Sequence, residues 1–151
     1  MPEYQVKAAF LLNFTKFIEW PANAFADSGS PFSICILGRD PFGRALDDFA
    51  EGEAVSDRKL VVRRINESPA AQTCQLVFVD SAGKDLGRIL GGFGRGVLTV
   101  GEGERFLRDG GMIAFVIENR RVRFDINQSA VEGVGLKISS KLLSVARSVE
   151  K

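Results

Sequence analysis

Polar and apolar positions change rhythm along this chain, and the rhythm separates strands from helices. Ile34 to Leu37, Leu76 to Val79 and Met112 to Ile117 are unbroken apolar runs of strand length, whereas Val122, Phe124 and Ile126 alternate with Arg121, Arg123, Asp125 and Asn127. Strands are predicted near Phe32–Leu37, Lys59–Ile65, Leu76–Asp80, Val97–Val100, Met112–Glu118 and Val122–Ile126. Helical spacing fills the gaps: Phe42, Leu46 and Phe49 after the first strand, Leu86 to Leu90 after the third, and Phe106 and Leu107 after the fourth. Right-handed crossovers then give an α/β fold: a mainly parallel central sheet of five to six strands flanked by helices. Glu118 to Arg121 has room only for a tight turn, so the last two strands form a C-terminal antiparallel hairpin at one edge.

Both ends of the chain add helical patterns. Val6, Phe10, Phe14 and Phe17 fall on one helical face, widened by Leu11 and Ile18, which suits core packing or a helix shared across a dimer. Near the other end, Leu136 and Ile138 alternate with Lys137 and Ser139. The helical set Leu142, Leu143, Val145, Ala146 and Val149 follows, with Ser139 or Ser140 as N-cap.

Length and composition narrow the function classes. The 151 residues, 45% hydrophobic and 26% charged, suit one domain over residues 1–151 with a sizeable core. Twenty basic and nineteen acidic residues leave a net charge of +1, so no global field recruits nucleic acid or an anionic membrane. Histidine is absent, which removes the commonest general base and metal ligand, and no metal or cofactor is expected. No apolar run is long enough to insert in a membrane. Cys35 and Cys74 do not form a CxxC motif. They are two buried thiols or one disulfide, the latter worth about 4 kcal/mol in the chain-entropy model and requiring an oxidising compartment.

Enzyme-like motifs are incomplete. Gly101-Glu102-Gly103 lies between a strand and a helix, as a dinucleotide-binding turn would, but Phe106 replaces the third glycine, and Glu102 and Glu104 oppose a pyrophosphate. Asp80 ends a strand where a receiver domain carries its phospho-accepting aspartate. The first strand ends instead in Gly38, Arg39 and Asp40 and the fifth in Glu118 and Asn119, with no lysine, so Asp80 reads as a helix cap. Ser139, Ser140 and Lys141 point in different directions on a helix and lack a supporting acid. No catalytic residue is assigned.

The segments EYQVKAAFLLNFTKFIEWP and FSICILGRDPFG, with Gly110 to Glu118, Val122 to Asn127 and Gly135 to Leu143, resemble the YfiR family of bacterial periplasmic regulators. That resemblance implies a non-catalytic, often dimeric α/β domain acting outside the cytoplasm. It further implies inhibition of an inner-membrane diguanylate cyclase, and so control of cyclic di-GMP, or attachment to a signalling protein such as a sensor kinase. It pairs Cys35 with Cys74 as a disulfide and sets the first and third strands side by side in a 2-1-3 order. It also implies an export signal, and Met1 to Trp20 does not read as one. The expectation is a mature periplasmic fragment with a supplied Met1. A second cysteine pair, carried by the better-known member of that family, has no counterpart here.

Candidate ligand- or partner-binding residues are Arg121, Arg123, Asp125, Lys137 and Ser139, the polar sides of two alternating segments whose apolar sides face the core. The alternative function is a small-molecule sensor domain in which Arg123, Asp125 and Lys137 line a cleft.

Overall fold

The computed structural model describes residues 2–66, 73–80 and 86–151. Helix α1 (Glu3–Phe17) runs into the short strand β1 (Ile18–Glu19) as the backbone turns extended ahead of Pro21. Strand β2 (Phe32–Leu37) is followed by α2 (Ala45–Ala50), β3 (Ala54–Val55), β4 (Arg58–Ile65), β5 (Leu76–Val79) and α3 (Leu86–Gly91). Then come β6 (Leu98–Glu102), α4 (Arg105–Arg108), β7 (Ile113–Glu118) and β8 (Arg121–Asn127), and finally α5 (Gln128–Gly133), β9 (Lys137–Ile138), α6 (Ser140–Val145) and β10 (Ser148–Glu150).

The main sheet has the order β10-β8-β7-β6-β5-β2-β4-β3. It is eight-stranded and mixed, which corrects the expectation of five or six mainly parallel strands. Strands β4, β2, β5, β6 and β7 run parallel to their neighbours, while β3 turns back on β4 and β8 on β7. The hairpin is not at the edge, because β10 adds a further strand parallel to β8. Val149, predicted within a helix, pairs with Ile126: the helix stops at Val145, and extended backbone at Ala146 starts the final strand. The 2-1-3 order holds, with β2 between β4 and β5.

Side chains alternate across this sheet as period two requires. Ile34, Ile36, Leu76, Phe78, Leu98, Val100, Ile113 and Phe115 pack with α1 and α2 on one face. Cys35, Leu37, Val77, Val79 and Ala114 pack with α3 and α4 on the other, and the Cys35–Cys74 disulfide lies in that second layer with a Cα separation of 6.0 Å. Glycine makes room there for one ring. Phe106 is 1% exposed, and a Cβ placed on Gly101 or Gly111 would come within 2.4 or 2.2 Å of it.

Helix α1 is a core element, but its buried stripe is offset from the predicted one. Lys7, Ala8, Leu11, Leu12, Phe14 and Thr15 are buried, while Phe17 is 38% exposed. A stripe through Ala8, Leu11 and Thr15 lets smaller residues meet the sheet. Phe10 and Phe14 flank it, with centroids 5.5 and 5.1 Å from Phe124 and 6.2 and 5.8 Å from Phe115.

Strands β1 and β9 form a separate antiparallel pair, Ile18 with Ile138 and Glu19 with Lys137. The predicted cap is present at Ser139, whose hydroxyl accepts from the Lys141 amide at 3.1 Å. The capping role predicted for Asp80 falls on residues 81–85, outside the described residues.

Candidate functional site

The β7–β8 hairpin closes through Asn119 and Arg120, whose φ angles of 52° and 65° make the tight turn its strand pairing demands. Two consecutive non-glycine residues in the left-handed region store strain at the tip, where arginine is an uncommon occupant. Arg121 is exposed and stands opposite Glu118. Ile117 on β7 is 53% exposed and, paired with Val122, lies on the opposite face of the hairpin from Arg121 and Arg123.

The remaining charges are tied together by Arg147, at the start of the last strand. Its Nε and Nη2 donate to Asp125 Oδ1 and Oδ2 at 2.9 and 2.6 Å. Nη2 also reaches Glu104 at 3.4 Å, and Nη1 lies 3.7 Å from Glu118. Arg123 Nη1 donates to the other Glu118 oxygen at 3.3 Å. The Asp125 hydrogen bonds, then its charge, hold the Arg147 guanidinium still more firmly protonated than usual. Guanidinium groups cannot act as bases, and these carboxylates are occupied by arginines.

Lys137 and Ser139 lie elsewhere. They line a groove of about 460 Å³ with Lys16, Phe17, Glu19 and Lys141, and its lining includes no residue of β8. The structure thus joins Arg123 and Asp125 through Glu118 and Arg147, and separates them from Lys137 because β8 and β9 belong to different sheets. Sequence reasoning missed Arg147 and Glu104. The available signal was the polar–apolar–polar triplet Ser148 to Glu150, too short to outweigh the helical pattern before it.

The positions considered for nucleotide and phosphoryl chemistry are taken up by structural contacts. Glu102 accepts from Tyr4 Oη at 2.9 Å and from the buried Lys7 ammonium, which also reaches Glu3 at 2.5 Å. Burial first, then the bond to Glu102, pushes the Tyr4 phenol up to about 12. After the first predicted strand, Asp40 accepts from Arg64, which also bridges to Asp47 and holds its carboxyl below the ordinary value.

The YfiR/HmsC-like family matches residues 4–147, nearly the whole chain. The chain belongs to the YfiR/HmsC-like family. No curated protein matches it in sequence. Among solved structures, this YfiR/HmsC-like domain is similar to a conserved domain protein from Vibrio cholerae O1 biovar El Tor, with a TM-score of 0.55 and 11% identity. The likeness covers 99% of this chain and 61% of that one, so the domain spans about three fifths of its neighbour's length. At that identity the likeness establishes the fold alone.

Proposed function

We propose that this YfiR/HmsC-like domain is a non-catalytic periplasmic regulator, acting as a homodimer, that binds the periplasmic part of an inner-membrane diguanylate cyclase and lowers cyclic di-GMP synthesis. Family membership carries the reading. The Cys35–Cys74 disulfide supports it, since such bonds persist in oxidising compartments. The hairpin surface supports it too: Arg120 and Arg121 at a strained, exposed tip offer a cationic surface to an acidic segment.

Affinity capture from solubilised membranes with the full-length cyclase encoded nearby tests the proposal. Wild type retains the cyclase and lowers its product in cells, and Arg120→Glu, Arg121→Glu loses both effects. Failure to retain any such cyclase sinks the reading. Light scattering at micromolar concentration checks the dimer.

A second reading, a ligand sensor feeding a sensor kinase, is favoured by the groove that gathers Lys16, Lys137 and Lys141 beside Phe17. Calorimetric titration with amino acids and nucleotides tests it, and unchanged affinity in Lys137→Ala removes this groove as the site.

A further inference from the structure

A second groove, of about 730 Å³, lies between the end of α1 and the β3–β4 turn, within the size range of small-molecule sites. Its wall is aromatic. Trp20 stands edge-on to Phe32 at 4.8 Å, and its indole N–H is tied to the Gln75 carbonyl at 3.0 Å, which fixes the ring's orientation. Val55 and Phe25 extend the apolar lining, and Lys16 stands at the rim.

The second cation in this lining is Arg58. Its guanidinium stacks 3.7 Å from the Phe25 centroid, and Nη1 donates to the Asp27 and Ser30 carbonyls, both at 2.8 Å. Two carbonyls and one ring therefore orient the fork while using only one of its nitrogens. Among the described residues no carboxylate ion-pairs with Arg58, and its Nε and Nη2 edge donates to no protein acceptor. Arginine presents that edge to a carboxylate with two parallel N–H bonds. The turn that carries Arg58 into the groove holds Ser56 and Asp57 at φ 50° and 67°, strain of the kind that accumulates at binding sites.

We propose that this groove binds a small amphipathic monocarboxylate, its apolar body against Trp20 and Val55 and its carboxylate on the open edge of Arg58. One guanidinium edge suits one carboxylate, because Glu19 shares the lining and the Lys16 ammonium lies 3.9 Å from Glu53. Lys16 and Glu19 also line the groove of the second reading, whereas Arg58 and Val55 line this groove and not that one, so variants at these two positions separate the two sites.

Trp20 is the single tryptophan in the chain, so its emission reports on this groove alone. The test titrates the full chain with 4-phenylbutyrate and decanoate, and with decylammonium and decanol as charge-reversed and neutral probes. A saturable change in emission with the carboxylates, at least tenfold tighter than with the amine or alcohol, is expected. Arg58→Gln should lose that tenfold preference with its far-UV circular dichroism intact. If Arg58→Gln fails to fold, Val55→Phe on the edge strand narrows the groove, leaves Arg58 in place, and should abolish binding by calorimetry. Equal affinity for carboxylate and amine, no saturation up to millimolar probe, or wild-type affinity in folded Arg58→Gln or Val55→Phe overturns the proposal.

Discussion

Arg147 reaches back 22 positions to grip Asp125 with two hydrogen bonds, of 2.9 and 2.6 Å. Asp125 is 6% exposed on β8, so the partner that arrives with the last strand is the one that makes its charge tolerable. Arg147→Met leaves that carboxylate buried without its cation. The urea midpoint should fall, and amide exchange should accelerate at Val149 and Glu150 before it does in β2 or β5. The double variant Arg147→Met, Asp125→Leu should recover part of the loss, because an apolar pair replaces an unmatched charge.

The hairpin tip separates stability from recognition. Arg120 holds φ at 65°, a conformation that glycine adopts at little cost. Arg120→Gly should raise stability by about 0.5–1 kcal/mol in denaturant titrations. If the tip is the partner surface, the same variant should bind the cyclase more weakly than wild type. A gain in both properties would remove Arg120 from the interface.

Phe106 sits between two glycines, and the second layer of the core depends on it. Gly111→Ala places a methyl 2.2 Å from a buried ring and should cost about 1–3 kcal/mol by chemical denaturation. Phe106→Leu combined with Gly111→Ala should be milder than the two single losses summed, since the smaller side chain gives up the contested space.

Reducing Cys35–Cys74 opens a covalent loop of 39 residues. The chain-entropy cost is about 4 kcal/mol. For a domain of this size that corresponds to a melting temperature lower by roughly 10 °C. Thermal scans with and without reductant, in the presence of a thiol trap, measure it.

Tyr4 is the single tyrosine, so absorbance at alkaline pH titrates it alone. The midpoint should lie near 12 rather than near 10, chiefly from burial and then from Glu102. A folded-state pKa above the unfolded one contributes stability that is fully present below pH 10 and is lost as pH climbs toward 12. Glu102→Gln should bring the midpoint part of the way down, with burial accounting for what remains.

Much of the sheet was legible because its central strands are apolar runs bounded by turns. Phe32–Leu37 emerges as read, and each other predicted strand lies within one or two residues of its place. What was not legible is short. Strands β1, β9 and β3 have two residues each, and pairs that brief are set by their neighbours in space. The same holds for β10, where Val149 continues a helical spacing until Arg147 donates its amide to Phe124 and the backbone extends. Missing β10 hid both the true edge of the sheet and the residue that organises the candidate surface. Arg123 and Asp125 were singled out for their alternation with core residues. Lys137 shows the same alternation, and no periodicity reveals that its strand belongs to another sheet.

The ring cluster of Phe10 and Phe14 with Phe115 and Phe124 has a consequence for how the chain is made. These contacts join the first helix to a hairpin synthesised about a hundred residues later, so α1 emerges from the ribosome with its apolar stripe uncovered. Pairings of such separation form late and slowly. Until the hairpin arrives, Phe10 and Phe14 are exposed surface a holding chaperone would grip, and α1 is among the last elements to settle.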